Sequence, residues 1–331
     1  MAARILDGAP LAEEIAAQAR AQAQALANDG HPPRLVAIRA NDDRGSEVYA
    51  RAQAKWCGRN GLAYLLEDLG PEATEADLAA CIARHNATPQ TSAVLLHTPL
   101  PKKADAARLT AAIDPAKDAE GMHPRNLGRL LTDPDPVPAP CTAAGAVRLA
   151  LEACPDMRGR DAVVVGHSQI VGRPAALMLL ARDATVSVAH VYTKDLARLT
   201  REAEVLIVAT GAIGSRYRAY RKALAAHKRG GAPRPEPVDL GYLVTPPMVR
   251  AGAVVIDVGG NRIPEALDEN GEPVCDPKTG KPRMVTVGDV DVEGIRDKAA
   301  AITNPKGGAG PMTNAILLRN TVAAAQALAE G

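Results

Sequence analysis

Short aliphatic runs alternate along this chain with longer segments that repeat alanine and leucine at helical spacing, and that alternation most limits what it can fold into. Arg34-Leu-Val-Ala-Ile38, Ala93-Val-Leu-Leu96, Ala162–Val165, Thr185–Ala189, Val205–Ala209 and Ala253–Val258 read as strands. Residues 10–28, 46–60, 141–154 and 172–182 read as helices. Strands that alternate with helices build a parallel sheet covered by helices on both faces. The chain has no Phe and a single Trp, Trp56, so the core must be made of Ala, Val, Leu and Ile, which suits helices packed on such a sheet. The expected class is therefore α/β, and 331 residues give room for two domains or one large one. No internal repeat is visible.

Several function classes are disfavoured at once. A formal net charge of +1 gives no global attraction to nucleic acid or an anionic membrane. No apolar run approaches the roughly 20 residues that span a bilayer. The first residues, MAARILDGAPLAEEIAAQAR, carry acids and amphipathic periodicity instead of a basic then apolar leader. Cys57, Cys81, Cys141, Cys154 and Cys275 form no CxxC pair, and no histidine cluster stands at metal-ligand spacing. A cytoplasmic protein without a metal is expected, and Asp289 and Asp291 do not alter that. Two segments break the rhythm. Residues 215–237 are basic and then rich in Gly and Pro, and 264–283 hold two turn signals, Glu269-Asn-Gly and Lys278-Thr-Gly. Both read as solvated insertions, the second as a surface hairpin.

One loop carries chemistry. Strand Ala162–Val165 leads into Gly166-His-Ser-Gln-Ile-Val-Gly-Arg-Pro174 and then an Ala/Leu helix. Gly166 permits a tight turn and close approach of a pyrophosphate, and Gly172 and Pro174 open a helix whose N-terminal amides favour an anion. The spacing is not GxGxxG, and a plain strand-to-helix turn is the alternative. The acid that usually reads a ribose some 20 residues after such a loop is absent; His190, Val191, Tyr192 and Thr193 stand there. Thr210-Gly211 closes the strand that follows.

With these segments, the chain resembles the bifunctional methylenetetrahydrofolate dehydrogenase/cyclohydrolase family. Eight pieces occur in order: Ser46-x-x-Tyr49, Thr98-Pro-Leu-Pro101, Lys117-Asp-Ala-Glu-Gly-Met-His-Pro-Arg-Asn-Leu-Gly-Arg129, Pro140-Cys-Thr-Ala-Ala-Gly145, Val165–Pro174, Gly252–Gly259, Gly288-Asp-Val-Asp291 and Gly307-Gly-Ala-Gly-Pro-Met-Thr313. The resemblance implies two domains with a cleft between them. A pterin-binding catalytic domain would comprise 1–145 and 312–331; a Rossmann-like doubly wound parallel sheet, 146–311, would bind NAD or NADP. It further implies a tetrahydrofolate derivative as substrate and a homodimer. Tyr49, Gln53, His97 and Glu120 occupy the catalytic positions. Substrate would be held by Tyr49, Gln53, Pro99, Leu100, Glu120, Gly307, Gly308 and Pro311. The dinucleotide would be held by Thr142, Gly166, His167, Ser168, Ile170, Val171, Thr193, Thr210, Gly211, Ile213, Val258, Gly259 and Thr313.

The departures matter as much. The family places a Lys four residues after the Tyr, on the same helix face; here that residue is Gln53. Lys55 lies about 200° around the helix from it. The family's Gln is His97, its Asp is Glu120, and its Pro-Val-Pro is Asn304-Pro305-Lys306. Oxidising the methylene carbon requires alignment and charge stabilisation but no obligatory protein base, whereas hydrolysing the methenyl product is acid–base work. Gln53 cannot titrate, so the expectation is a dehydrogenase with cyclohydrolase activity weak or absent. Two alternatives stand beside it: a bifunctional enzyme in which His97 or Lys306 replaces the Lys, and a non-catalytic pterin- or partner-binding protein. Where relatives that prefer NADP carry an Arg, this chain has His167 and Val191, which favours NAD unless Lys194 or a protonated His167 takes that part. Cys141 reads as a small buried hydrophobe, and His123 as a structural group that orients the Glu120 loop.

Overall fold

The computed structural model describes residues 2–304 and 307–330, and the chain divides into two units. The first spans Gly8–Gly145 and the C-terminal segment from Gly310; the second takes the residues up to Asp7 together with Ala146–Ala309. This corrects the expected N-terminal boundary. Strand β1 (Arg4–Leu6) pairs in parallel with a distant segment, Ala301–Thr303, and so adds an edge to the second unit's sheet. Three residues have too little periodicity to announce that partner.

The first unit begins with α1 (Gly8–Asn28), β2 (Arg34–Arg39), α2 (Arg44–Arg59), β3 (Ala63–Asp68), α3 (Glu75–Ala87) and β4 (Ala93–Leu96). It continues through α4 (Ala106–Ala112) and α5 (Pro124–Arg129) into α6 (Cys141–Ala153), and α10 (Ala309–Glu330) returns to it. The three strands run parallel in the order β3-β2-β4. Central β2 buries Leu35, Val36, Ala37 and Ile38 completely, as expected of a strand covered on both faces. Ile38 lies opposite Leu96, which puts the next residue, His97, at the carboxyl end of β4. Asp43 caps α2 by accepting the Ser46 N–H at 2.7 Å, and the helix stops before Asn60 and the left-handed Gly61. The sequence reading missed β3 and α3. The first is an edge strand with mixed exposure, and the second starts at a capping box of Thr74 and Asp77.

The second unit contains β5 (Asp161–Val165), α7 (Gly172–Leu180), β6 (Thr185–Ala189), α8 (Leu196–Glu202), β7 (Val205–Val208) and α9 (Ala212–Lys228). After these come β8 (Val254–Asp257), β9 (Asn261–Pro264), β10 (Met284–Val287) and β11 (Ala301–Thr303). Its main sheet is entirely parallel in the order β1-β11-β8-β7-β5-β6. The chain leaves central β5 first to β6 on one side and then to β7 on the other. Such a reversal opens a crevice at the carboxyl ends of the strands.

Both insertions are more ordered than their composition announced. Residues 264–283 form the expected hairpin, with β9 and β10 antiparallel and further bridges at Leu267–Pro273 and Cys275–Pro282. The segment 215–237, expected as a solvated insertion, instead puts most of its length into α9, which buries Tyr217, Tyr220 and Leu224. Ile213, Tyr217 and Ile263 form a small satellite core with Val238, Leu240, Leu267, Val285 and Val287. Arg221 and Lys228 both pair with Glu272 of the hairpin. Each insertion therefore supplies the apolar partner the other lacks. No helix among the described residues is long and apolar enough to cross a membrane.

Candidate active site

Within the first unit, the ends of β4, α2, α6 and α10 surround a cavity of about 250 Å³ lined by Tyr49, His97, Thr98, Glu120, Cys141, Thr142 and Thr313, among others. The Tyr49 and His97 rings lie 5.5 Å apart. Gln53, placed by the resemblance among catalytic and substrate-holding residues, does not reach the cavity. It stands behind His97, 5% exposed, and its Oε1 receives His97 Nε2 and the Tyr64 hydroxyl, each at 3.1 Å. With Oε1 turned towards His97 that oxygen accepts, which assigns the His97 proton to Nε2 and leaves the Nδ1 lone pair; the same orientation buries Gln53 Nε2 without a hydrogen-bond partner among the described residues. Burial, and to a smaller extent the Arg39 charge, push His97 below its usual pKa, so the ring is neutral at neutral pH. Lys55 is exposed.

Glu120 is carried by a tightly tied loop. Lys117 is buried and donates to the carbonyls of His85, Asn86 and Thr88, closing the end of α3. Asp118 accepts the N–H groups of Glu120 and His123 and the Asn126 amide. Gly121 adopts φ +69°, and a Cβ there would meet the Ala139 carbonyl carbon at 2.2 Å. Loss of hydration, reinforced by the Asp118 charge, raises Glu120 to about 7; a carboxyl so placed is divided between its two forms at neutral pH. His123 caps α5 by accepting the Arg125 N–H. Burial drives the Cys141 thiol well above its ordinary pKa, so that residue is no ready nucleophile.

Other residues assigned by resemblance are distributed differently. Pro99 accepts the Asn41 amide through its carbonyl, and Leu100 packs on the core of the first unit. Pro311 lines a separate cavity with Trp56 and Arg20. Gly307 and Gly308 fall in the second unit, and Lys306 lies outside the described residues. Thr142 and Thr313, assigned to the dinucleotide, line the Tyr49 cavity, where Thr313 donates to the Thr142 hydroxyl at 3.3 Å.

In the second unit a cavity of about 430 Å³ lies at the carboxyl ends of β5, β6 and β7, lined by Gly166, His167, Ser168, His190, Thr193 and Thr210 among others. It fits a dinucleotide. Gly166 has φ +118°, and a Cβ there would strike the Ala209 carbonyl oxygen at 2.3 Å; one on Gly172 would strike the Gly166 oxygen at 1.9 Å. Bare backbone at both places lets the turn pack against the end of β7 and on itself, which sets the first amides of α7 beside the cavity. Ser168 accepts the Val171 and Gly172 N–H groups and holds the turn's shape. Ile170 is exposed and Val171 precedes α7 without a side-chain cap. Ile213 is buried in the satellite core, away from the cavity lining.

Asp289 is the residue that sequence reasoning undervalued. Its carboxylate accepts five hydrogen bonds, from the N–H groups of Thr210, Gly211 and Ala212, the Thr210 hydroxyl and the Asn261 amide. It thereby fixes the turn at the end of β7. Gly259 packs directly on Asp289, where a Cβ would approach to 2.7 Å, so Val258-Gly259 supports that clamp. Asp257 beneath accepts the Gly259, Asp289 and Val290 N–H groups, yet burial still raises it to about 6. The isolated Gly-Asp-Val-Asp motif gave no sign of this because Asn261 lies 28 residues away and the turn residues Thr210–Ala212 lie 77–79 away.

One group among the described residues has ligand atoms close enough to be compared with a metal site. Cys81 and His85 stand one turn apart on α3 and, with Glu67 of β3, bring ligand atoms within 4.8 Å of one another. Arg84 already supplies a cation there, donating to both Glu67 oxygens and to Cys81 Sγ.

Comparison with known proteins agrees with this geometry. The family model for the tetrahydrofolate dehydrogenase/cyclohydrolase catalytic domain matches residues 6–120, and that for its NAD(P)-binding domain matches 140–215 and 238–329. The gap between the last two ranges coincides with most of the 215–237 insertion. A bifunctional protein FolD of Prochlorococcus marinus is 40% identical over 325 residues, covering 96% of this chain and 93% of its own. Another, of Ralstonia nicotianae, is 38% identical and covers 100% and 98%. Among solved structures, the bifunctional FolD of Campylobacter jejuni superposes with a TM-score of 0.79 at 34% identity, covering 98% and 99%. The Trypanosoma brucei enzyme, solved with NADP and an inhibitor, gives 0.79 at 28% identity over the full length of both chains. This chain belongs to the tetrahydrofolate dehydrogenase/cyclohydrolase family of NAD(P)-dependent oxidoreductases.

Proposed function

We propose that this enzyme oxidises 5,10-methylenetetrahydrofolate to the 5,10-methenyl form with NAD(P), and that its cyclohydrolase step is weak or absent. The observation that carries the proposal is Gln53. It replaces the family's Lys with an amide that cannot titrate, and it is committed to holding His97 and Tyr64. When bound, the dinucleotide supplies the two-electron acceptor. Tyr49 offers a ring face to the pterin, and Glu120, when ionised, accepts its amidine-like N–H groups. These tasks are positioning and charge stabilisation, which need no base. A homodimer belongs to the same reading and is checked by the solution mass.

A second reading keeps both activities, with His97 Nδ1 as the base. Its support is the neutral His97 ring on the cavity wall and the bifunctional names of the relatives. The two are separated by following reduced nicotinamide and methenyltetrahydrofolate together in the wild type and in Gln53→Lys. On the first reading, methenyl compound made by the wild type decays only at its spontaneous rate, and Gln53→Lys accelerates the decay. Enzyme-dependent decay in the wild type that disappears in His97→Gln overturns that reading in favour of the second.

A further inference from the structure

Glu67, Cys81 and His85 lie outside the cavities described above, and together they have the make-up of a ligand set. The run Cys81-Ile-Ala-Arg-His85 puts a thiol and an imidazole four residues apart on one face of α3, where both are buried. Glu67 reaches them from β3 with a half-buried carboxylate. Because it comes from a different element, sequence spacing does not announce the trio. His85 Nε2 lies 3.2 Å from Glu67 Oε1, and its Nδ1 lies 3.0 Å from Thr91 Oγ1. Cys81 Sγ is within 4.8 Å of the other two ligand atoms.

We propose that these three side chains form a site for a borderline-soft divalent cation of the zinc class, with water in the fourth position. Tetrahedral coordination, at about 2.0–2.2 Å from nitrogen or oxygen and about 2.3 Å from sulfur, sets ligand atoms roughly 3.3–3.6 Å apart. The Glu67–His85 pair already stands near that separation, and a small rotation of the Cys81 side chain brings its sulfur in. Thr91 is the outer partner that a metal-binding histidine needs: its hydroxyl turns to accept the Nδ1 proton and leaves the Nε2 lone pair to the ion. Burial holds the Cys81 thiol above its ordinary pKa, so entry of the ion releases that proton to solvent and leaves a thiolate ligand. The charges then balance, two positive on the ion against one carboxylate and one thiolate.

Arg84 marks where positive charge is stabilised. Its guanidinium donates to Glu67 Oε1 at 3.3 Å, to Glu67 Oε2 at 3.0 Å and to Cys81 Sγ at 3.4 Å. The side chain is 56% exposed, so it can swing into solvent and open a path to the ligand atoms at the small cost of a surface ion pair. The neighbouring charges are engaged elsewhere. Asp68, next on β3, is paired with Arg39, and Lys117 spends its ammonium on the carbonyls of His85, Asn86 and Thr88. An ion held here ties β3 to the end of α3 on which Lys117 is anchored.

The test is titration of the full chain, free of affinity tags, with Co2+, whose tetrahedral thiolate complexes absorb in the near ultraviolet and visible, followed by displacement with Zn2+. One equivalent of Co2+ should raise the thiolate band, and one of Zn2+ should remove it. Cys81→Ser abolishes the band, while Cys154→Ser and Cys275→Ser, which alter the less buried thiols, keep it. Arg84→Ala tightens Co2+ binding about twofold to fivefold, because the ion no longer displaces a guanidinium from its surface ion pair. Zn2+ also raises the thermal midpoint of the wild type and leaves that of Cys81→Ser unchanged. Should Cys81→Ser fail to fold, Glu67→Gln makes the comparison at a half-buried position, where loss of the carboxylate charge weakens Co2+ binding by about tenfold or more. No band in either the wild type or Arg84→Ala, a band that survives Cys81→Ser, undiminished binding in Glu67→Gln or weaker binding in Arg84→Ala overturns the site.

Discussion

Replacing Glu120 by Gln should stabilise the first unit in alkaline solution and leave it nearly unchanged in acid. The folded protein holds this carboxyl's proton up to about pH 7, against an ordinary value of 4.5, so folding favours the protonated form. The wild type bears no penalty below pH 4.5. Its stability declines as pH rises from 4.5 through 7 and levels off above, where the group is ionised in both states. At about 1.4 kcal/mol per pKa unit, the full shift amounts to about 3 kcal/mol, a ceiling because solvent near the cavity mouth relaxes part of it. Gln keeps the shape and a hydrogen-bonding amide but has no charge to bury. Urea unfolding of both proteins at pH 4 and pH 8.5 isolates this term, since every other titrating group is common to the pair. The midpoint of the variant should exceed that of the wild type by about 1 M at pH 8.5, given slopes of about 1–3 kcal/mol per molar. At pH 4 the two should coincide within a few tenths. An equal difference at both pH values, or a wild type more stable at pH 8.5, would refute the desolvation argument and the assignment of Glu120 as a strained carboxyl. Folate binding provides the complement: if ionised Glu120 holds the pterin, substrate affinity of the wild type rises through pH 7, and that rise is missing in Glu120→Gln.

Two further perturbations probe the dinucleotide unit. Asp289→Asn turns an NH₂ group towards at least one of the N–H donors at Thr210–Ala212; leaving such a group opposed and buried costs about 1–3 kcal/mol, and dinucleotide affinity should fall roughly tenfold or more, whereas unchanged affinity would mean the β7 turn needs no clamp. Gly166→Ala places a Cβ 2.3 Å from the Ala209 oxygen at a positive φ; dinucleotide binding should be lost while far-ultraviolet circular dichroism stays close to that of the wild type, and retained binding would show that the turn relaxes freely.

Much of the fold was legible before any coordinates. β4 and β6 were read to the residue, because continuous apolar runs bounded by turns have few alternatives in an α/β chain. The motifs around Tyr49, His97 and Glu120 identified the family and converge on one cavity. Local pattern failed where stabilisation comes from distant partners. Edge strand β3 has half-exposed residues and no clean period, and β1 is a strand only because β11 lies beside it. The basic run in α9 looked solvated because the hairpin that buries Tyr217 arrives some 45 residues later.

The sequence by itself determined the class of fold, the family and which residues stand at positions 53, 97 and 120, since these depend on residue identity and order. Only the tertiary structure decided the surroundings of those residues. It set Gln53 behind His97 as a positioning group and lifted Glu120 towards neutrality by removing water. It also made Asp289 a clamp and brought Glu67 against Cys81 and His85. In each case the deciding quantity is the surroundings of a polar group, its donors, neighbouring charges and access to water, and those are assembled from segments that no local stretch of sequence contains.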